Sequence, residues 1–147
     1  MKTMVENPLV GAWRLVSYQY NTEDGDIVFP FGPDPVGYIM YTADGHMSVQ
    51  MAVPDRPGYA SEDRKGGTDA EKIAAADTYI AYCGMYELHD DRVIHHVELS
   101  FFQNRVGTSQ TRYYQLSGDR IELKTPPMLI DGAPRTLCIV WERASGS

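Results

Sequence analysis

Eight short segments rich in β-branched and aromatic residues, each cut off by turn residues, constrain this chain more than anything else in it. They run over 12–20, 36–42, 46–53, 82–88, 92–101, 112–116, 120–125 and 135–143, separated by stretches such as "NTEDGD", "ADG", "PDRPG" and "SGD". Short strands at regular spacing with tight turns predict an antiparallel sandwich or an up-and-down barrel. At 147 residues and 43% hydrophobic composition the chain suits one all-β domain, 1–147, with a core of its own.

One segment breaks the pattern. "GGTDAEKIAAADTYIAY", 66–82, has an alanine-rich centre, and Thr68 with Glu71 three residues on forms a capping-box signature. This predicts one helix over about 68–80, inserted between two strands behind the polar loop "PDRPGYASEDRKGG". Such a helix could lie over one end of a barrel as a cover, or plug that end as a structural cap. The tail, 144–147, is expected to be disordered.

Charge and composition exclude several classes. Thirteen Lys and Arg against 20 Asp and Glu give a net charge of −7, with no basic cluster, so a nucleic-acid partner is not expected. The N-terminus "MKTMVENPLV" lacks the apolar run of a signal peptide, and nothing approaches the ~20 residues that span a bilayer. A soluble, cytoplasmic protein with no membrane partner is expected. Cys83 and Cys138 are too few and too isolated for a disulfide framework or a zinc site. His95 and His96 are neighbours on a strand and point to opposite faces, so no metal is expected. No nucleophile elbow, phosphate loop or dinucleotide fingerprint is present, and no cofactor is expected.

Alternation along the strands assigns faces. In "RVIHHVELS", Val93, His95, Val97 and Leu99 share one face; in "RYYQL", Arg112, Tyr114 and Leu116 share one. An imidazole and a guanidinium thus both point where apolar residues belong. The first strand would turn Trp13, Leu15, Ser17 and Gln19 inward and Arg14, Val16 and Tyr18 outward. The same counting sends Ile39, Tyr41, Met47, Val49, Met51, Tyr82, Gly84, Tyr86, Leu88, Leu137, Ile139 and Trp141 inward. Gly84, between two tyrosines, marks either a binding notch or a bend. Every assignment depends on register, because a single bulge inverts a set.

The two ends of the chain add a resemblance. "GAWRLVS" carries Gly11 and Trp13, and "VWER" carries Trp141 and Arg143. This is similar to the lipocalins, in which a G-x-W on the first strand packs its indole beneath an arginine of the last. Together with "PVGYIMYTADGHMSVQM", "YIAYCGMYEL" and "VIHHVELSFFQNRVGTSQTRYYQLSGDRIELKTPP", it resembles the lipocalin-like domain family of bacterial and fungal proteins over nearly the full length. The resemblance implies a calycin-type up-and-down barrel with a cavity and one inserted helix. It does not imply one activity, although some related small barrels are associated with isomerisation or cyclisation of natural-product intermediates.

Two functional readings follow. In the first, the barrel binds a small, mostly hydrophobic molecule, aromatic or polyketide-like, against Tyr41, Tyr82, Tyr86, Tyr114 and Trp141. Arg112, with no carboxylate on the inward faces, then calls for a carboxylate, phenolate or enolate on the ligand. In the second, the protein is a cofactor-free isomerase, cyclase or hydratase with His95 as acid or base and Arg112 as anion stabiliser. Against both stands the plainer expectation that His95 hydrogen-bonds a neighbouring tyrosine while Arg112 snorkels toward a barrel rim, and a third reading is an interaction or structural protein whose barrel is filled with side chains. A homodimer is conceivable through a strand edge left exposed where the helix interrupts the sheet.

Overall fold

The G-x-W segment and the final arginine meet at one end of a closed barrel. The structure, a computed structural model, describes residues 7–144. Arg143 sits with its guanidinium carbon 4.1 Å from the Trp13 ring centroid and donates to the carbonyls of Val10 and Pro8, each at 2.6 Å. Trp13 itself is fully buried and donates its indole N–H to Leu9 O at 2.9 Å. Gly11 is required here: its φ is +125°, and a side chain on it would meet Arg143 Nη1 at 2.9 Å.

Strands β1 (Gly11–Asn21), β2 (Ile27–Val28), β3 (Val36–Tyr41), β4 (His46–Ala52), β5 (Tyr79–Leu88), β6 (Arg92–Ser100), β7 (Ser109–Ser117), β8 (Arg120–Lys124), β9 (Met128–Ile130), β10 (Ala133–Arg135) and β11 (Leu137–Arg143) follow in order. The sheet runs β11-β8-β7-β6-β5-β4-β3-β1-β2, and β11 also pairs with β1. All pairings are antiparallel. Because β2 only hangs on the end of β1, the closed ring has eight strands, as the spacing of segments predicts. β9 and β10 form a separate hairpin around Asp131 and Gly132, both at positive φ. The sequence reading passed over this hairpin as loop, although Asp-Gly is a strong two-residue turn signal.

Two bulges correct the face assignments. Between β1 and β11, Leu15 pairs with Trp141 but Ser17 with Val140, so β1 spends one extra residue, Val16. Beyond it Tyr18 and Tyr20 turn inward and are buried, whereas Ser17 and Gln19, expected inside, move to the outer face. Between β5 and β6, Cys83 pairs with Leu99 but Gly84 with Val97, which leaves Glu98 unpaired. Val93, His95 and Val97 are buried as expected, but Leu99 is 68% exposed. Gly84 marks this bend rather than a notch: a side chain there would run into the His96 carbonyl oxygen, with Glu98 N at 3.0 Å.

The helix α1 (Asp69–Asp77) starts as read, with Thr68 as N-cap and a complete capping box with Glu71. It ends earlier than expected: Thr78 is its C-cap, and the β-branched and aromatic run from Tyr79 already belongs to β5. No residue of α1 is buried. Arg56 holds it from the preceding loop through Ala75 O and Thr78 Oγ1, both at 3.0 Å. It is therefore neither a plug nor a cover pressed onto the barrel. The exposed edge expected beside it is also missing, because β4 and β5 pair directly from His46↔Met85 to Ala52↔Tyr79. Ala144, assigned to a disordered tail, bonds Ala12 O at 3.0 Å, and the rest of that tail lies outside the described residues. Among the described residues no helix is long and apolar enough to cross a membrane.

Candidate functional site

Period-two alternation in β6 puts His95 between Val93 and Val97 on the inner wall, and the imidazole is 1% exposed. Its two nitrogens are both taken. Tyr41 Oη on β3 lies 2.7 Å from Nε2, and Tyr82 Oη on β5 lies 2.6 Å from Nδ1. A neutral imidazole has one donor and one acceptor nitrogen, so one tyrosine donates to the ring and the other accepts from it. Burial above all, then the charge of Arg112 and then His96, holds the His95 pKa well below its ordinary value. The ring is neutral at physiological pH. Burial likewise pushes the Tyr41 hydroxyl well above its ordinary range.

Arg112 on β7 is 5% exposed, and the bond it makes within the described residues runs from Nη1 to Thr111 O, at 2.9 Å. No carboxylate among the described residues pairs with it. A second cation joins it from the turn between β6 and β7, a single 3₁₀ turn at Gln103–Arg105. The Arg105 guanidinium carbon lies 5.9 Å from the Tyr82 ring centroid. Burial lowers the Arg105 pKa, and Arg112 lowers it further. Tyr18, brought inside by the Val16 bulge, is raised by burial against the pull of both arginines.

His95, Tyr82, Arg112, Arg105 and Tyr18 line one cavity of about 40 Å³, walled by Ile39, Val49, Met51, Leu123 and Ile139. A space of this size takes a few waters and is far below the ~300 Å³ at which small-molecule pockets begin. The cavity that the resemblance implies is therefore small here, its space taken by side chains that include Tyr18, Tyr82 and Trp141. Ile80, Tyr82 and Arg105 separate it from a surface cleft of about 590 Å³, lined also by Phe31, Tyr79, Phe101 and Phe102.

Of the residues singled out from sequence, His95, Arg112, Tyr82 and Trp141 meet at the cavity, and Tyr41 reaches it through His95. Tyr86 and Tyr114 do not. Tyr86 donates to Thr42 O at 2.7 Å and accepts from Asn7 at 2.8 Å; Tyr114 donates to His89 O at 2.9 Å. Both hydroxyls are committed near the Trp13 end, away from the cavity. Sequence reasoning missed Tyr18, hidden by a bulge, and Arg105, which lies in the connection between two strands and was given no inward role. An arginine beside Phe101 and Phe102 in a strand connection was the available signal.

Outside the barrel, His96 contacts Glu87 through Nε2 and Ser109 Oγ at 2.9 Å through Nδ1. The trio lies on the outer face, apart from the cavity.

Comparison with known proteins agrees with the geometry. A protein of Aspergillus oryzae (strain ATCC 42149 / RIB 40) described as "4'-hydroxy-3'-methoxypropiophenone carrier protein ppsC" is 34% identical over 106 residues, covering 66% of this chain and 96% of the relative. Residues 10–144 match the lipocalin-like domain family. With the Trp13–Arg143 closure and the eight-stranded ring in place, that match establishes that the chain belongs to the lipocalin-like domain family.

Proposed function

We propose that the protein binds and carries a small, mostly hydrophobic, aromatic molecule at the cavity and its adjoining cleft. The observation that carries the reading is Arg112, buried against the cavity with one backbone acceptor for its several donors. A buried guanidinium left this unpaired is costly unless cavity water or a ligand answers it, and an anionic or polar ligand group answers it best. The relative's printed description, a carrier of an aryl ketone, supports the same class. Entry requires side chains to move, with Ile80, Tyr82 and Arg105 in the way.

The catalytic alternative has less behind it. Both nitrogens of His95 already face tyrosine hydroxyls, so no ring nitrogen is free to meet a substrate proton directly. The free thiols of Cys83 and Cys138 suit a reducing compartment, which fits a cytoplasmic carrier.

The test is to titrate 4'-hydroxy-3'-methoxypropiophenone into the protein, following the fluorescence of Trp141 at the cavity wall, and then to recover the ligand for mass spectrometry. Saturable binding with the ligand returned unchanged supports the carrier. Conversion to a new compound would move the assignment to catalysis, and no binding of this or related aryl ketones would sink the reading.

A further inference from the structure

Two cations without a matching anion line one small space, and an orphan donor lies in its wall. The Arg105 guanidinium has no hydrogen-bonding or ion-pairing partner among the described residues, although it faces the Tyr82 ring. Arg112 has one backbone carbonyl. The indole N–H of Trp141 is buried with no acceptor among the described residues, and its ring lines the same cavity. The acceptors present are tyrosine hydroxyls and a neutral imidazole, none of which carries negative charge.

Size divides the site into two parts. The cavity of about 40 Å³ admits an oxygen-bearing group and little else, whereas the cleft of about 590 Å³ on the other side of Arg105 is bordered by Phe31, Tyr79, Phe101 and Phe102. Phe101 is 53% and Phe102 58% exposed, and Tyr79 meets Phe101 edge to face at 6.4 Å. Exposed aromatic rings at the mouth of a cationic cavity match a flat aromatic body joined to an acidic oxygen.

We propose that the ligand is held as a phenolate, with its ionised oxygen in the cavity between Arg105 and Arg112 and its aromatic body in the cleft. This rests on the carrier reading and adds the charge state and the direction of the bound molecule. Two cations lining one small cavity favour the ionised phenol over the neutral one, and binding then lowers the phenol's pKa. Arg105 comes from a turn, so it can swing aside for entry and close on the oxygen afterwards. An Arg105 fixed by protein partners could do neither.

The experiment uses two probes on the full chain, 4'-hydroxypropiophenone and its methyl ether 4'-methoxypropiophenone, which cannot ionise. At neutral pH, absorbance should show the bound hydroxyketone with the longer-wavelength band of the phenolate, although the free compound is mostly neutral. A lowering of its pKa by about one unit corresponds to about tenfold preference for the anion. Arg105→Gln should remove that band and weaken the hydroxyketone about tenfold, whereas Arg14→Gln, on the outer face of β1, should change neither. Arg112→Gln should act as Arg105→Gln does. If both ketones bind equally well and the hydroxyketone stays neutral, the carrier reading stands and the phenolate site is wrong. If neither binds to protein with an unchanged circular-dichroism spectrum, both are wrong.

Discussion

The hydroxyl of Tyr82 and Nδ1 of His95 lie 2.6 Å apart inside the barrel, and Tyr41 closes the other side of the same ring at 2.7 Å. Three strands, β3, β5 and β6, are thereby joined by one polar chain that satisfies itself. Tyr41→Phe or Tyr82→Phe should each destabilise the protein by about 1–3 kcal/mol in urea unfolding, because each leaves a buried ring nitrogen unmatched. The triple replacement of Tyr41 and Tyr82 by Phe and His95 by Leu should cost less than the sum of its parts. Strict additivity across that cycle would mean that the three groups do not act as one network.

His95 also predicts a pH dependence. Its folded pKa is depressed, chiefly by burial, from an unfolded value near 6.5. Between the two values the unfolded chain holds a proton that the folded chain does not, so this contribution is complete above about pH 6.5 and is lost as the pH falls toward the folded pKa. Melting temperatures measured from neutral pH downward should fall more steeply for the wild type than for His95→Gln. Parallel curves would remove His95 as the cause.

Gly84→Ala should be among the most damaging single substitutions. The added carbon would overlap the His96 backbone carbonyl at the point where β6 bulges, and backbone cannot step aside as a side-chain tip can. A loss of about 3 kcal/mol or more, or failure to accumulate folded protein, is expected. Gly118→Ala provides the contrast, since nothing lies within 4 Å there and only its φ of +61° is strained.

Arg143→Lys should behave nearly as badly as Arg143→Ala at the closed end. Lysine keeps the charge over Trp13 but lacks the planar fork that reaches the Pro8 and Val10 carbonyls together. Thermal unfolding should report a loss of about 1–3 kcal/mol for either variant. Full stability in the lysine variant would show that charge alone closes the barrel.

Arg112→Met should separate stability from binding. Removing an under-paired buried cation in favour of a side chain that packs among Leu123, Ile139 and Met51 should raise the melting temperature of the free protein while weakening an aryl-ketone ligand. A variant that lost stability and kept affinity would reverse the role assigned to Arg112.

The all-β class, the eight strand segments and the inward direction of His95 and Arg112 were legible because alternation and turn chemistry are local, whereas closure into a ring and the Trp13–Arg143 contact came from the resemblance to the lipocalins. The misplaced residues share one cause. Tyr18 and Leu99 sit just past bulges, and a bulge is decided by the partner strand, Val140 against Ser17 or Val97 against Gly84, which one segment read alone does not contain. Arg105 was missed for another reason. Its backbone belongs to a turn, and only closure of the ring reveals that this turn overhangs the same cavity that His95 faces. The helix ended early because Thr78, Tyr79 and Ile80 favour strand over completing a third turn of α1.

The helix that buries nothing has a consequence for how the chain can be cut. β4 and β5 already meet at Ala52 and Tyr79, and Val53 N adds a bond to Thr78 O at 3.2 Å, so the 25 or so residues between them are not needed to hold the ladder. A protease that nicks the exposed stretch around Ser61–Lys65 should leave two fragments that stay locked in one ring and migrate as a single species until denatured.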